Sequence, residues 1–143
     1  MTKIVVIAGP TASGKSDLAI SVAQRFNGEI VSADAMQIYR GLDIGTAKVT
    51  KAERELVPHH LIDIVDMTDK FSVAEFVTRA DQVINDIAKR GKLPVIAGGT
   101  GFYVKALLGQ QPLDFVASDE AEVALLKQKS LPALVTMLDR KSV

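Results

Sequence analysis

The chain has 143 residues, with 17 lysines and arginines against 17 aspartates and glutamates, 48% hydrophobic residues and no cysteine. That size predicts one domain with a buried core, and the composition excludes a disordered chain, a disulfide-stapled fold and a thiolate zinc site. Zero net charge argues against a general polyanion binder. The longest apolar run near the start, Ile4 to Ala8, is too short for a secretory signal or a membrane span, so a soluble, cytoplasmic, monomeric protein away from the membrane is expected.

Lys3 to Ala8 is rich in β-branched residues and stops at Gly9-Pro10, the pattern of a buried strand entering a glycine-rich loop. From Ser16 the period becomes helical, with Leu18, Val22 and Phe26 recurring every four residues, Ala19 and Ala23 beside them, and Gly28 as a stop. Glu29 to Ala33 reads as a second strand ending at Asp34. Thr50 and Glu53 form a capping-box pair that starts a short helix before Pro58, and Leu61 to Val65 fits either a strand or a connector. Ser72 and Glu75 form a second such pair, after which Phe76, Ala80, Val83, Ile84 and Ile87 make the stripe of an amphipathic helix stopped by Gly91. Leu93 to Ala97 is a further buried strand, and Gly98-Gly99-Thr100-Gly101 leads into a helix through Leu108. Gln110 to Ser118 has the character of a linker, with short helices predicted after Asp119 and after Ser130. Alternating strands and helices predict an α/β fold with a mostly parallel sheet, helices on both faces and a short helical C-terminal segment. The division expected is a core over residues 1–109 and a linker plus helical region over 110–143.

Gly9-Pro10-Thr11-Ala12-Ser13-Gly14-Lys15-Ser16 matches G-x-x-x-x-G-K-[ST] and lies between a predicted strand and a predicted helix, where its mechanism requires it. Backbone N–H groups converge on phosphate oxygens, the helix N-terminus adds its positive end, Lys15 adds a charge and Ser16 can ligate Mg²⁺. The loop does not specify which phosphate compound it holds. A signalling GTPase is excluded, because Asn27 is followed by Gly28 and Asn85 by Asp86, leaving no Asn-Lys-x-Asp loop for a guanine base. A small-molecule or nucleotide kinase remains as the alternative, with Asp34 receiving a substrate hydroxyl. Against it, only Arg140 is available beyond residue 104 for an arginine-bearing lid, and the strand at Leu93 to Ala97 ends in glycines instead of an acid.

The segment from Asp34 to Lys48 places two carboxylates, an amide, a phenol and two basic groups after a buried strand. Together with the phosphate loop, Pro58-His59-His60-Leu61-Ile62-Asp63 and Gly98-Gly99-Thr100-Gly101-Phe102-Tyr103, it resembles the tRNA dimethylallyltransferases, also called tRNA isopentenyltransferases. The resemblance covers residues 4 to about 108 well and the remainder more weakly. It implies a P-loop NTPase-like fold and transfer of a dimethylallyl group from dimethylallyl diphosphate to N6 of the adenosine 3′ to the anticodon. It also implies that the phosphate loop, with Thr11, Lys15, Ser16 and Mg²⁺, holds the diphosphate leaving group. Asp34 is implied as the base, and Asp34, Ala35, Met36, Gln37 and Thr100 as contacts to the tRNA anticodon loop.

Each of these residues also has a plainer reading. Asp34 could cap the following turn or hold Mg²⁺ through water, Gln37 could be a solvated loop amide, and Thr100 could cap the helix after it. His59 and His60 are adjacent instead of one helical turn apart, which favours loop or edge structure over chelation. Ala35 stands where the family usually has Ser. Family members are also roughly twice as long, with an Asn- and Arg-containing segment that helps grip tRNA. The expectation is therefore an N-terminal portion, truncated before much of the tRNA-binding surface, that binds tRNA weakly and with strong salt dependence. A phosphate-binding remnant without turnover is the non-enzymatic alternative.

Overall fold

The structure is a computed structural model, which describes residues 2–113 and 119–141. The chain divides into two compact units, residues 1–113 and 114–143.

The first unit is built on a four-stranded sheet of β1 (Val5–Ala8), β2 (Gly28–Ser32), β3 (His59–His60) and β4 (Leu93–Gly98), in the order β1-β4-β2-β3. Every pairing is parallel. Parallel strands need crossovers, and helices α1 (Lys15–Arg25), α2 (Lys51–Leu56), α3 (Val73–Lys89) and α4 (Gly101–Leu107) lie between or after them.

The pleat decides what each face carries. Ile30 and Val95 pack with Ala19, Ile20 and Ala23 of α1, whereas Val31 and Ile96, one residue along, pack with Phe76, Ala80, Ile84 and Ile87 of α3 and Val104 of α4. Helices thus cover both faces, and the strands read as continuous apolar runs for that reason. Phe76 is fully buried and stacks on Tyr103 with ring centroids 4.3 Å apart. Such a stack adds about 1 kcal/mol beyond the area it buries.

Several sequence expectations need correction. The buried face of α1 is Ala19, Ile20 and Ala23, while Leu18 and Phe26 of the four-residue repeat are more than half exposed. Small residues let the helix lie close on the sheet and turn the larger ones outward. The chain leaves α1 through Asn27, whose φ is 50°, and Gly28 opens β2 instead of ending the helix. A Cβ at Gly28 would lie 2.6 Å from the Leu93 carbonyl oxygen, so its role is close strand approach. The third strand is His59–His60 at the sheet edge, and beyond it only an isolated bridge joins Tyr39 to Val65. Leu61 and Asp63 take left-handed backbone (φ 61° and 55°), which breaks any extended run there.

Both caps form. Thr50 and Glu53 make the reciprocal box. Ser72 accepts from the Glu75 N–H, but the Glu75 carboxylate pairs with Arg79 instead of reaching back. The amphipathic stripe of α3 is as predicted, with Phe76, Ala80, Ile84 and Ile87 buried.

In the second unit, α5 (Glu120–Lys127) starts at Asp119, whose side chain accepts from the Ala121 N–H, and α6 spans Leu131–Lys141. The predicted linker lies largely outside the described residues, as does the side chain of Arg140. No helix among the described residues is long and apolar enough to cross a membrane.

Candidate active site

At the C-terminal ends of β1, β2 and β4 a cleft of about 290 Å³ is lined by Thr11, Ala12, Ser13, Gly14, Lys15 and Ser16 of the loop after β1. Asp34 and Gln37, after β2, and Gly98 and Gly99, at the end of β4, line the same cleft. Open parallel sheets bind ligands at this end of the strands.

The loop after β1 is bent by left-handed backbone at Ala12 (φ 61°) and Gly14 (φ 80°), and Gly14 caps α1 without a side-chain hydrogen bond. The first N–H groups of α1 are therefore not capped by a side chain, and they present the positive end of the helix to the cleft. Lys15 Nζ donates to the Pro10 carbonyl at 2.5 Å, which brings the ammonium back across the loop. Gly9 and Pro10 do not line the cleft; they hold the loop's shape, since a Cβ on Gly9 would come 3.2 Å from Ser13 Oγ.

Gly98 explains why β4 ends in glycine. A Cβ there would lie 2.2 Å from the Ala33 carbonyl oxygen, so only glycine lets β4 lie against the end of β2 that carries Asp34. Gly99 faces the phosphate loop, 3.6 Å from the Gly9 carbonyl oxygen by the same measure.

Asp34 does cap its own turn: Oδ1 accepts from the N–H groups of Met36 at 2.8 Å and Gln37 at 3.2 Å. Oδ2 accepts from no side chain or backbone group among the described residues, so the carboxylate is anchored through one oxygen and open through the other. Thr100 is the N-cap residue of α4, yet its hydroxyl makes no cap bond; Oγ1 accepts from the Ala35 N–H at 2.9 Å. Its role is a latch between the two loops, and the cap reading is corrected. Thr100, Ala35 and Met36 are not among the cleft-lining residues, and Met36 is half exposed.

Gln37 is no solvated amide. It is 8% exposed, and Nε2 donates to the carbonyls of Ala47 at 3.0 Å and Thr46 at 3.4 Å. Thr46 and Ala47 belong to a loop held by Lys48, whose side chain is only 3% exposed. Its ammonium donates to the Tyr39 carbonyl at 2.7 Å, Asp43 Oδ1 at 3.0 Å and Asp63 Oδ1 at 2.6 Å. Burial alone would lower the pKa of Lys48, but Asp63 and Asp43 outweigh it, so the pKa is raised and the group stays charged. Asp63 is the mirror case: burial pushes its carboxyl up, and Lys48 and Arg54 bring it below its ordinary range.

His59 also lines the cleft, through the sheet face it shares with Ile30. Its Nδ1 lies 2.7 Å from the Val57 carbonyl and must be the protonated nitrogen there, while burial, and to a lesser degree Arg54, lower its pKa. Sequence reasoning missed the roles of Lys48 and His59. A lysine within a polar loop gives no local sign that it is buried, and the face taken by His59 follows from strand register alone.

No group of three or more His, Asp or Glu side chains able to hold a metal lies among the described residues. Ser16 is exposed on the first turn of α1 beside the phosphate loop. A hydroxyl in that place fits Mg²⁺, which takes most of its ligands from phosphate oxygens and water.

A parallel sheet with a G-x-x-x-x-G-K-[ST] loop between its first strand and helix defines the P-loop class of phosphate-binding α/β proteins. Within that class, the model of the IPP transferase family matches residues 37–142. A tRNA dimethylallyltransferase of Leuconostoc citreum is 99% identical over 138 residues, 96% of this chain and 47% of that protein. The structure of the tRNA isopentenylpyrophosphate transferase of Bacillus halodurans matches with a TM-score of 0.77 at 45% identity, covering 98% of this chain and 48% of the other. A eukaryotic dimethylallyltransferase acting on tRNA matches with a TM-score of 0.76 at 34% identity, covering 98% of this chain and 36% of the other. The chain belongs to the IPP transferase family. It spans about half the length of the curated relatives it matches. These matches support the prenyl-transfer reading over the kinase alternative.

Proposed function

We propose that this chain supplies the diphosphate-binding and chemical portion of an enzyme that transfers a dimethylallyl group from dimethylallyl diphosphate to N6 of the adenosine 3′ to the tRNA anticodon. The observation that carries the reading is that a single cleft joins the phosphate loop to Asp34 and Gln37. A leaving diphosphate and an attacking amine need to meet in one enclosed place.

In this reading the allylic C1–O bond breaks, its electrons leave on the diphosphate, and the bond from N6 to C1 forms. Lys15, the Thr11 and Ser16 hydroxyls and the first N–H groups of α1 take up the charge that develops on the leaving group. Mg²⁺, held through Ser16, supplies further neutralisation of the diphosphate. An adenine N6 is a weak nucleophile because its lone pair is delocalised into the ring. Asp34, oriented through Oδ1 and open at Oδ2, accepts the proton that N6 loses, a contribution of about 10²- to 10⁴-fold. Thr100 acts by holding the Asp34 loop through Ala35, where a hydroxyl acceptor is present although the family's usual Ser is replaced.

Titration of this chain with dimethylallyl diphosphate and with ATP, each with Mg²⁺, tests the reading. Clear preference for the allylic diphosphate is expected. Preference for ATP accompanied by phosphoryl transfer would favour a kinase and end this reading. The net charge of zero predicts tRNA binding that is weak in this portion alone.

A further inference from the structure

The amide of Gln37 is polarised by its surroundings. Nε2 faces two backbone carbonyls, those of Thr46 and Ala47, and the reversed amide would set its oxygen against both. The end left for the cleft is therefore Oε1, an acceptor. Asp34 Oδ2 is an acceptor as well. Two acceptors at this end of the cleft suit a group with two N–H bonds, and an exocyclic amine is such a group.

The carbonyls that polarise Gln37 have no sheet or helix to hold them. Their loop contains left-handed backbone at Gly41, Gly45 and Ala47, and its tip, Ile44, is almost wholly exposed. What anchors it is the residue directly after Ala47: the buried Lys48 ammonium joins Tyr39, Asp43 and Asp63. Arg54 completes the anchor, donating to Asp63 Oδ2 at 2.7 Å and to the Val49 carbonyl at 3.3 Å.

We propose that Lys48 is a positioning residue that acts through Gln37, holding the Thr46 and Ala47 carbonyls so that Gln37 Oε1 and Asp34 divide the two hydrogens of the target amine. Asp34 accepts the proton that leaves as the N6–C1 bond forms and the C1–O bond breaks. Gln37 retains its hydrogen bond to the other N–H and sets the plane of the amine, so that the nitrogen lone pair meets the allylic carbon. This rests on the function proposed above and adds to it a specificity device and the residue that holds it.

The test uses the full-length Leuconostoc citreum relative with Lys48→Met, Gln37→Met and the double change at the matching positions. Transfer to tRNA and binding of dimethylallyl diphosphate with Mg²⁺ are measured for each. Lys48→Met is expected to lower kcat by about 10- to 100-fold, the usual scale for a misplaced reacting group. Diphosphate affinity is expected to stay within about twofold, and the double variant to be no slower than Gln37→Met alone, as for two residues that act in series. Losses that multiply in the double variant, or wild-type kcat in Lys48→Met, would overturn the proposal. If Lys48→Met does not fold, Asp63→Asn keeps an oxygen for the ammonium and replaces it in the same cycle, with the same two outcomes. Failure of the unmodified enzyme to transfer a prenyl group would instead overturn the underlying function, so the two failures are distinct.

Discussion

Strand β2 has a carboxylate near each end, and they live in opposite circumstances. Glu29, at its N-terminal end, has a side chain only 3% exposed and is saturated with partners: Arg90 through two nitrogens at 2.5 and 2.8 Å, Lys92 at 2.7 Å and His60 at 2.8 Å. Arg90 above all holds its pKa far below the ordinary carboxylate range, against the opposing effect of burial. Asp34, just past the C-terminal end, is anchored by two backbone N–H groups on one oxygen only. A carboxylate with every lone pair used is a staple, and one with a free oxygen in a cleft can do chemistry. The pleat separates them. Glu29 shares the face of Val31 and the α3 layer, while Ser32 and Asp34 line the cleft with Ile30.

Exchanging the character of the two carboxylates is the strongest way to break this contrast. Asp34→Asn, placed in the full-length Leuconostoc citreum relative, is expected to lower prenyl transfer by about 10²- to 10⁴-fold while diphosphate binding persists. Near-normal turnover in that variant would remove the base role. Gly98→Ala tests the contact that positions Asp34, since its Cβ would meet the Ala33 carbonyl. An overpacked backbone contact of this kind is expected to cost about 3 kcal/mol in chemical denaturation of this chain, together with most diphosphate binding. Glu29→Gln is expected to cost about 2–3 kcal/mol, below the range for fully buried pairs because Arg90 and Lys92 keep part of their surface in water. In the full-length relative, kcat at a temperature where the variant is folded is expected to stay near the parent value, and a large fall would make Glu29 more than a staple.

Acidification gives the smallest and most graded effect. His59, Glu29 and Asp63 all have folded-state pKa values below their ordinary ones. The unfolded chain therefore binds more protons as pH falls, and stability is lost, not gained. The first loss is expected below 6.5, the ordinary value for His59, and a second below about 4.5, where Glu29 and then Asp63 begin to protonate in the unfolded chain. Denaturation midpoints at stepped pH check the order; a His59→Gln variant should lose only the first step.

Much of the molecule was legible in the residues alone, for reasons that are local. The phosphate loop announces itself because glycines, a lysine and a serine at set spacing are what a backbone needs to wrap a phosphate. Helix α3 is legible because a serine cap, a stripe of apolar residues and a final glycine are each short-range signals. Asp34 was legible as a strand-end carboxylate, and the resemblance of the segment that follows it marked the chemistry. The α1 stripe misleads because Leu18 and Phe26 are its larger apolar side chains, whereas close packing on a sheet buries the smaller Ala19 and Ala23.

What the sequence by itself determined is therefore the class of fold, the phosphate loop and the family, since all three rest on short segments whose meaning survives without their neighbours. Only the tertiary structure decided which atoms are free. That Asp34 keeps one oxygen open, that Thr100 latches Ala35 instead of capping a helix, that Gln37 shows its acceptor end, and that Lys48 is buried among carboxylates all depend on residues distant in the chain or on loop geometry. A hydrogen bond consumes a specific lone pair or proton, and which one is consumed is settled only when the partners meet.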